Sequence, residues 1–140
     1  MENTKRASFS IEKYYFDQVH IDMNHRKGDD LFVHFEPSGI FYSEDKTYDL
    51  SFVFTALSSK EESAKPFVEI KCVGVFNFKE VDSLDDIPEF FYRNSIAILF
   101  PYIRAYVSMV TNQANIQPVM LPTLNLASLE KPLRENTIVK

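Results

Sequence analysis

The sequence predicts an α+β domain, and two observations carry that prediction. The first half alternates apolar and polar residues with the period of two that a half-buried strand requires. The second half switches to apolar residues spaced three and four apart, the period of a helix. At 140 residues the chain matches one domain, since roughly 100–200 residues make one core. We expect a single unit over 1–140, with an ordered core from about 8 to 130 and flexible ends.

The first strand starts at Phe9. Phe9, Ile11, Tyr15, Val19, Ile21 and Met23 fall on one face, and Ser10, Glu12, Gln18, His20 and Asp22 on the other. Tyr14-Tyr15-Phe16 interrupts the alternation and predicts a bulge. Arg26 to Asp30 is a polar loop. Leu31 to Tyr42, broken by Pro37-Ser38-Gly39, reads as an irregular crossing segment followed by a short strand. Thr47 to Leu57 is the clearest strand, with Tyr48, Leu50, Phe52, Phe54 and Ala56 on one face. Ser58 to Lys65 is a hairpin-like connection. Phe67 to Phe78 is the fourth strand, with Ile70, Cys72, Gly74, Phe76 and Phe78 on one side and Val73 and Val75 on the other.

A helix begins near Asp86 and Pro88 and carries the stripe Ile96, Leu99, Phe100, Ile103, Val107 and Val110. Pro101 lies inside it and removes one interior hydrogen bond, which predicts a kink or break near Ala97–Leu99. Asn112 to Asn115 ends it. The remaining chain, with Pro118, Pro122 and Pro132, has room for one short helical turn near Leu124–Leu129.

Between Ile96 and Val110 the only charged residue is Arg104. A helix on one face of a small sheet needs a polar outer stripe, yet Ile98, Tyr102, Ala105, Tyr106 and Met109 stand there. The run is shorter than the roughly 20 residues a membrane span needs, so no membrane insertion is expected. A second sheet from another copy is expected to cover it, with Ile96, Leu99, Phe100, Ile103, Tyr106, Val107 and Val110 at the oligomer interface.

The chemistry-bearing residues are sparse. Fifteen basic against 20 acidic residues give a net charge of −5, and no basic patch stands out, which argues against a nucleic-acid partner. Three glycines, Gly28, Gly39 and Gly74, are too few for a phosphate-cradling loop. His20, His25 and His34 lack metal-ligand spacing. Cys72 falls on an apolar strand face, which suits a buried thiol in a cytoplasmic protein, and the N-terminus shows no apolar signal region. The acidic pairs Asp29-Asp30 and Asp85-Asp86 read as solvated turn charge. No catalytic constellation emerges and no cofactor is implied, so an enzyme is not expected. What is abundant is large apolar side chains, including Leu31, Phe32, Val33 and Phe35 ahead of Pro37, which suggests a groove for apolar partners.

The run Ile98-Leu99-Phe100-Pro101-Tyr102-Ile103-Arg104, then Ser108-Met109-Val110 and Pro118-Val119-Met120-Leu121, resembles the central helix and following segment of the SecB protein-export chaperone family. Phe9 to Tyr15 is similar to the family's first strand, Phe67 to Phe76 to its fourth, and Leu124 to Leu129 to the start of its last helix. The resemblance implies a four-stranded antiparallel sheet with a long kinked helix and a short C-terminal helix on one face, assembled as a dimer of dimers, a homotetramer. It implies ATP-independent holding of unfolded polypeptide clients for export, in grooves lined by Leu31, Phe32, Val33, Phe35, Val75, Phe76, Leu121, Leu124 and Leu126. It implies coupling to the SecA motor through Asp22 and Glu69, although Gln18 lacks the family's charge and the acidic tail is replaced by Lys131 to Lys140. Those departures equally suit a SecB-like chaperone dedicated to an antitoxin. A hotdog-type thioester or small-ligand enzyme also wraps a central apolar helix, but needs an acid or base that Ile96 to Val110 does not supply.

Overall fold

The computed structural model describes residues 8–121 and 124–140. In chain order it contains β1 (Ser8–Ile21), β2 (Phe32–Tyr42), β3 (Thr47–Leu57), β4 (Val68–Lys79), α1 (Glu89–Gln113), α2 (Glu130–Glu135) and β5 (Thr137–Val139). Short 3₁₀ turns at Met23–His25, Leu84–Asp86 and Leu126–Leu129 link them. The sheet runs β1-β4-β3-β2-β5, antiparallel except for β5, which lies parallel to β2.

The sheet therefore has five strands rather than the four expected, and the C-terminal residues expected to be flexible form α2 and β5. The reason is local. Ile138 and Val139 are paired with Ile40 and Phe41, and the Lys140 N–H donates to the Phe41 carbonyl at 2.9 Å. Pro132 stands in the first turn of α2, where no intrahelical N–H bond is lost.

Leu31 to Tyr42 is also more regular than its Pro37-Ser38-Gly39 suggests, because Phe32 to Tyr42 pairs without interruption against Leu57 to Thr47. Gly39 donates its N–H outward to Asn136 and Phe41 accepts outward from Lys140. Strand residues alternate in direction, so Pro37 also turns its backbone outward, away from β3. Its missing N–H breaks nothing in the β2–β3 ladder.

In β1 the register against β4 shifts between Ile11 and Lys13 and again between Phe16 and Gln18, on either side of the aromatic run where a bulge was expected. These shifts rephase the strand. Tyr14 and Phe16, rather than Tyr15, register with Gly74 and Cys72 on the helix side.

α1 lies on that side. Its face of Phe91, Tyr92, Ile96, Leu99, Ile103 and Val107 is buried. Phe91 is an aromatic hub, with ring centroids 4.8 Å from those of Phe9, Tyr48 and Phe78. The β1 flank of the helix is fixed by two stacked pairs, Tyr14 on Tyr102 at 4.1 Å and Phe16 on Tyr106 at 3.8 Å. The helix continues through Pro101 without the expected break. Ala97, whose carbonyl loses its partner there, lies on the solvent-exposed side of the helix.

Candidate functional site

The inward and outward faces of α1 differ from the expected division. Ile96, Leu99, Ile103 and Val107, expected at an oligomer interface, are enclosed by the chain's own sheet, and Phe100 is almost as deeply buried. Tyr106 is stacked on Phe16, and Val110 packs against the same core. The correction is physical: a stripe at three-and-four spacing fills the nearest apolar layer, and the five strands supply it. The outward face carries Ile98, Pro101, Tyr102, Ala105 and Met109, with Tyr102 at 42% and Met109 at 52% exposure. Of this face, Tyr102 stacks on Tyr14 at its β1 flank, and Pro101 and Ala105 border the segment that follows the helix.

Beside it lies a cleft of about 450 Å³ between α1 and the segment that follows, lined by Phe100, Pro101, Arg104, Ala105, Ser108, Met120 and Leu121. Thr111 holds that segment down. Its hydroxyl donates to the Val107 carbonyl at 2.8 Å and accepts the Val119 N–H at 2.9 Å, which buries Val119 and Leu121 and leaves Met120 67% exposed at the rim. The Ser108 hydroxyl donates to Met120 Sδ at 3.2 Å. Arg104 is the one charge on this wall, and among the described residues no carboxylate pairs with it. In the sequence Ala105 stands out only as part of an apolar outer stripe, and Pro101 and Met120 only within the family-like run, none of them as the wall of a cleft. The Val119 anchor was the missing piece, since it decides which side chain of Pro118 to Leu121 turns out.

The groove residues named from the sequence separate into three groups. Val33 and Phe35 lie on the helix side of β2, with Leu124 and Leu126 packed against the same core; the Leu126–Leu129 turn touches both α1 and β2. The Phe35 ring is 5.8 Å from that of Phe100. Leu31 is exposed at the start of β2, and Phe32 turns to the far side of the sheet, where the Lys60 ammonium lies 5.1 Å from its ring. Phe76 is fully enclosed and Leu121 nearly so, so both serve the core rather than a surface. Val75 is on the far side too, covered between Lys13 and Asp49 of the neighbouring strands. A strand alternates, so a contiguous apolar run divides between two faces.

Asp22 and Glu69 lie near one end of the sheet. Asp22 accepts the Asn24 N–H at 3.0 Å, which lowers its carboxyl pKa below the usual range, and its other oxygen is 3.6 Å from His25 Nε2. Glu69 registers with His20 and Thr55. With the Asp17–Lys71 pair at 3.4 Å on the same side, this surface carries both signs of charge.

Among the described residues no cluster of His, Cys, Asp or Glu is arranged to hold a metal ion, and no helix is long and apolar enough to cross a membrane. Cys72 is enclosed, and burial pushes its thiol up to about 12.

The molecule is thus one sheet backed by one long helix, with an apolar cleft beside that helix. The chain belongs to the SecB family: the family model described as "Preprotein translocase subunit SecB" matches residues 2–131. It is 39% identical over 88 residues to an uncharacterized protein of Methanocaldococcus jannaschii, covering 59% of this chain and 56% of that one. It is 33% identical over 84 residues to the protein-export protein SecB of Anaplasma phagocytophilum, covering 57% of this chain and 53% of that one. The chain thus spans about half the length of the curated relatives it matches. Its fold is similar to that of the Mycobacterium tuberculosis SecB-like chaperone, solved with a ChAD peptide from the HigA1 antitoxin, with a TM-score of 0.60 at 15% identity over 86% of this chain and 91% of that one.

Proposed function

We propose that this chain is a holdase: a chaperone that keeps unfolded polypeptide from aggregating, without nucleotide, in the service of protein export. The observation that carries the reading is the apolar cleft beside α1, with Phe100, Pro101, Ala105 and Leu121 along it and Met120 exposed at its rim. Apolar area removed from water contributes about 25 cal/mol per Å² whatever the client's sequence, and Met and aromatic side chains adapt to many shapes. Client segments lie in the cleft formed by Phe100, Pro101, Ala105 and Met120 and against Val33, Phe35, Leu124 and Leu126. A second copy covers the outward face of α1, and two such dimers make the tetramer. The protein works in the cytoplasm, and Asp22 and Glu69 are the contacts for a SecA-like motor.

Purified protein should suppress aggregation of a chemically unfolded client at near-stoichiometric ratio with no nucleotide present. Failure with several unrelated clients removes the reading.

A client-dedicated variant of the same function, with an antitoxin as the guest, is the second reading, supported by the likeness in fold to a SecB-like chaperone solved with an antitoxin peptide. Retention of one antitoxin but not of general export clients would favour it.

A further inference from the structure

Of the methionines among the described residues, Met120 is the most exposed, at 67% against 52% for Met109 and 42% for Met23. Its place is fixed by its neighbours: Val119, whose N–H the Thr111 hydroxyl holds at 2.9 Å, and Leu121 are both buried, so the chain turns Met120 out between them. The thioether sulfur of Met120 accepts a hydrogen bond from the Ser108 hydroxyl at 3.2 Å. That bond ties the side chain to α1 at the mouth of the cleft and occupies one of the sulfur's two lone pairs, leaving the other to solvent. Behind the sulfur the cleft is lined by Phe100, Pro101, Ala105 and Leu121. Cys72, the one thiol of the chain, is enclosed in the core and does not compete for a reagent in solvent.

We propose that Met120 is a reversible oxidation site, at which a hydroperoxide turns the apolar rim of the cleft polar and weakens its hold on a client. The free lone pair of Sδ attacks one oxygen of hydrogen peroxide, the O–O bond breaks and the S–O bond of a sulfoxide forms. The sulfur gives up two electrons, and the departing oxygen takes the proton of the attacking one and leaves as water. A dithiol reverses the change: it becomes a disulfide, and its two protons carry the sulfoxide oxygen away as water. A thioether loses little when a client covers it, whereas a sulfoxide oxygen must give up its bonds to water. With Ser108 on one side of the sulfur, oxygen adds from the other, so one of the two sulfoxide epimers dominates. The site of oxidation stands on this geometry alone; its effect on capture rests on the holdase reading.

The test treats the full chain with a graded series of hydrogen peroxide and maps the products by peptide mass spectrometry. Met120 sulfoxide should form ahead of that at Met109 and Met23, and a bound unfolded client should slow it. Of the two methionine sulfoxide reductases, which take opposite epimers, one should return most of the oxidised Met120 and the other little. Ser108→Ala should even out the two. The oxidised protein should suppress client aggregation several-fold less well, and the reductase should restore it. Met120→Leu should lose that response to peroxide, and Met23→Leu should keep it. Oxidation of Met120 no faster than of Met109 and Met23 overturns the site, and equal epimers in the parent overturn the part given to Ser108. Selective oxidation with unchanged capture overturns the switch and leaves the holdase intact. Reduced protein that captures no client removes the holdase reading, while the order of oxidation still decides the site.

Discussion

The Tyr48 hydroxyl meets the Thr137 hydroxyl at 2.5 Å, joining the middle of the sheet to a residue 89 positions further along the chain. Thr137 in turn donates to the Leu133 carbonyl at 2.7 Å, so α2 and β5 are tied to β3 through one buried ring. The ring reaches so far because Gly39 stands between: a Cβ there would lie 1.9 Å from the Tyr48 hydroxyl. Gly39→Ala should therefore destabilise the protein by about 1–3 kcal/mol, the range for overpacked sites. Hydrogen exchange should show protection lost first at Thr137 to Lys140. A variant with unchanged protection there would mean that Tyr48 yields without disturbing β5.

The two faces of α1 should respond differently to substitution. Leu99→Ala opens a cavity in the chain's own core and should cost about 2–5 kcal/mol. Met109→Asp, on the exposed face, should leave secondary structure intact and lower the assembly's mass by light scattering. If Met109→Asp retains the parent mass, the outward face of α1 is not where copies meet.

Met120→Asp tests the cleft. Met120 is exposed at its rim, so stability should change by no more than about 0.5 kcal/mol. Capture of an unfolded client, measured by light scattering during aggregation, should fall several-fold. Unaltered capture would move the client surface away from this wall.

Acid should weaken the turn that leads into α1. Asp86 accepts the N–H groups of Asp82 and Ser83 at 3.1 Å, and those bonds hold its carboxyl below the usual range. A carboxylate with a depressed folded pKa stabilises the fold above its unfolded value, and that stability disappears as pH falls through the folded one. Asp86→Asn should lower Tm near neutral pH, and the two proteins should converge in acid once the carboxylate is protonated. A constant gap across pH would assign the effect to something other than charge.

Cys72 reports on opening of the core. Its thiol, pushed up to about 12 by burial, has almost no thiolate at mildly alkaline pH and no access to reagent. Labelling by a disulfide reagent should track global unfolding in denaturant. Fast labelling of the native protein would show that β1 separates from β4 locally.

Periodicity alone placed β3, β4 and the buried stripe of α1, because a side chain's face follows directly from its spacing. It also located the aromatic run that upsets the register of β1. What alternation left ambiguous was phase. Two register shifts, not one, decide that Tyr14 and Phe16 stack on Tyr102 and Tyr106 while Tyr15 faces away. The SecB-like residues of the helix identified the family, yet the stripe they contain is core, and the exposed apolar side chains Ile98, Tyr102 and Met109 stand on the opposite side.

The order of strands and helix, and the excess of apolar side chains over what one face of a helix needs, were written in the sequence by itself. Tertiary structure alone decided that β5 pairs with part of the β2 edge. Thr137 to Val139 is too short to show a period, and its pairing depends on α2 setting it down beside Gly39, where a missing side chain lets Tyr48 reach across. A strand that exists only because distant residues meet leaves no mark in local spacing.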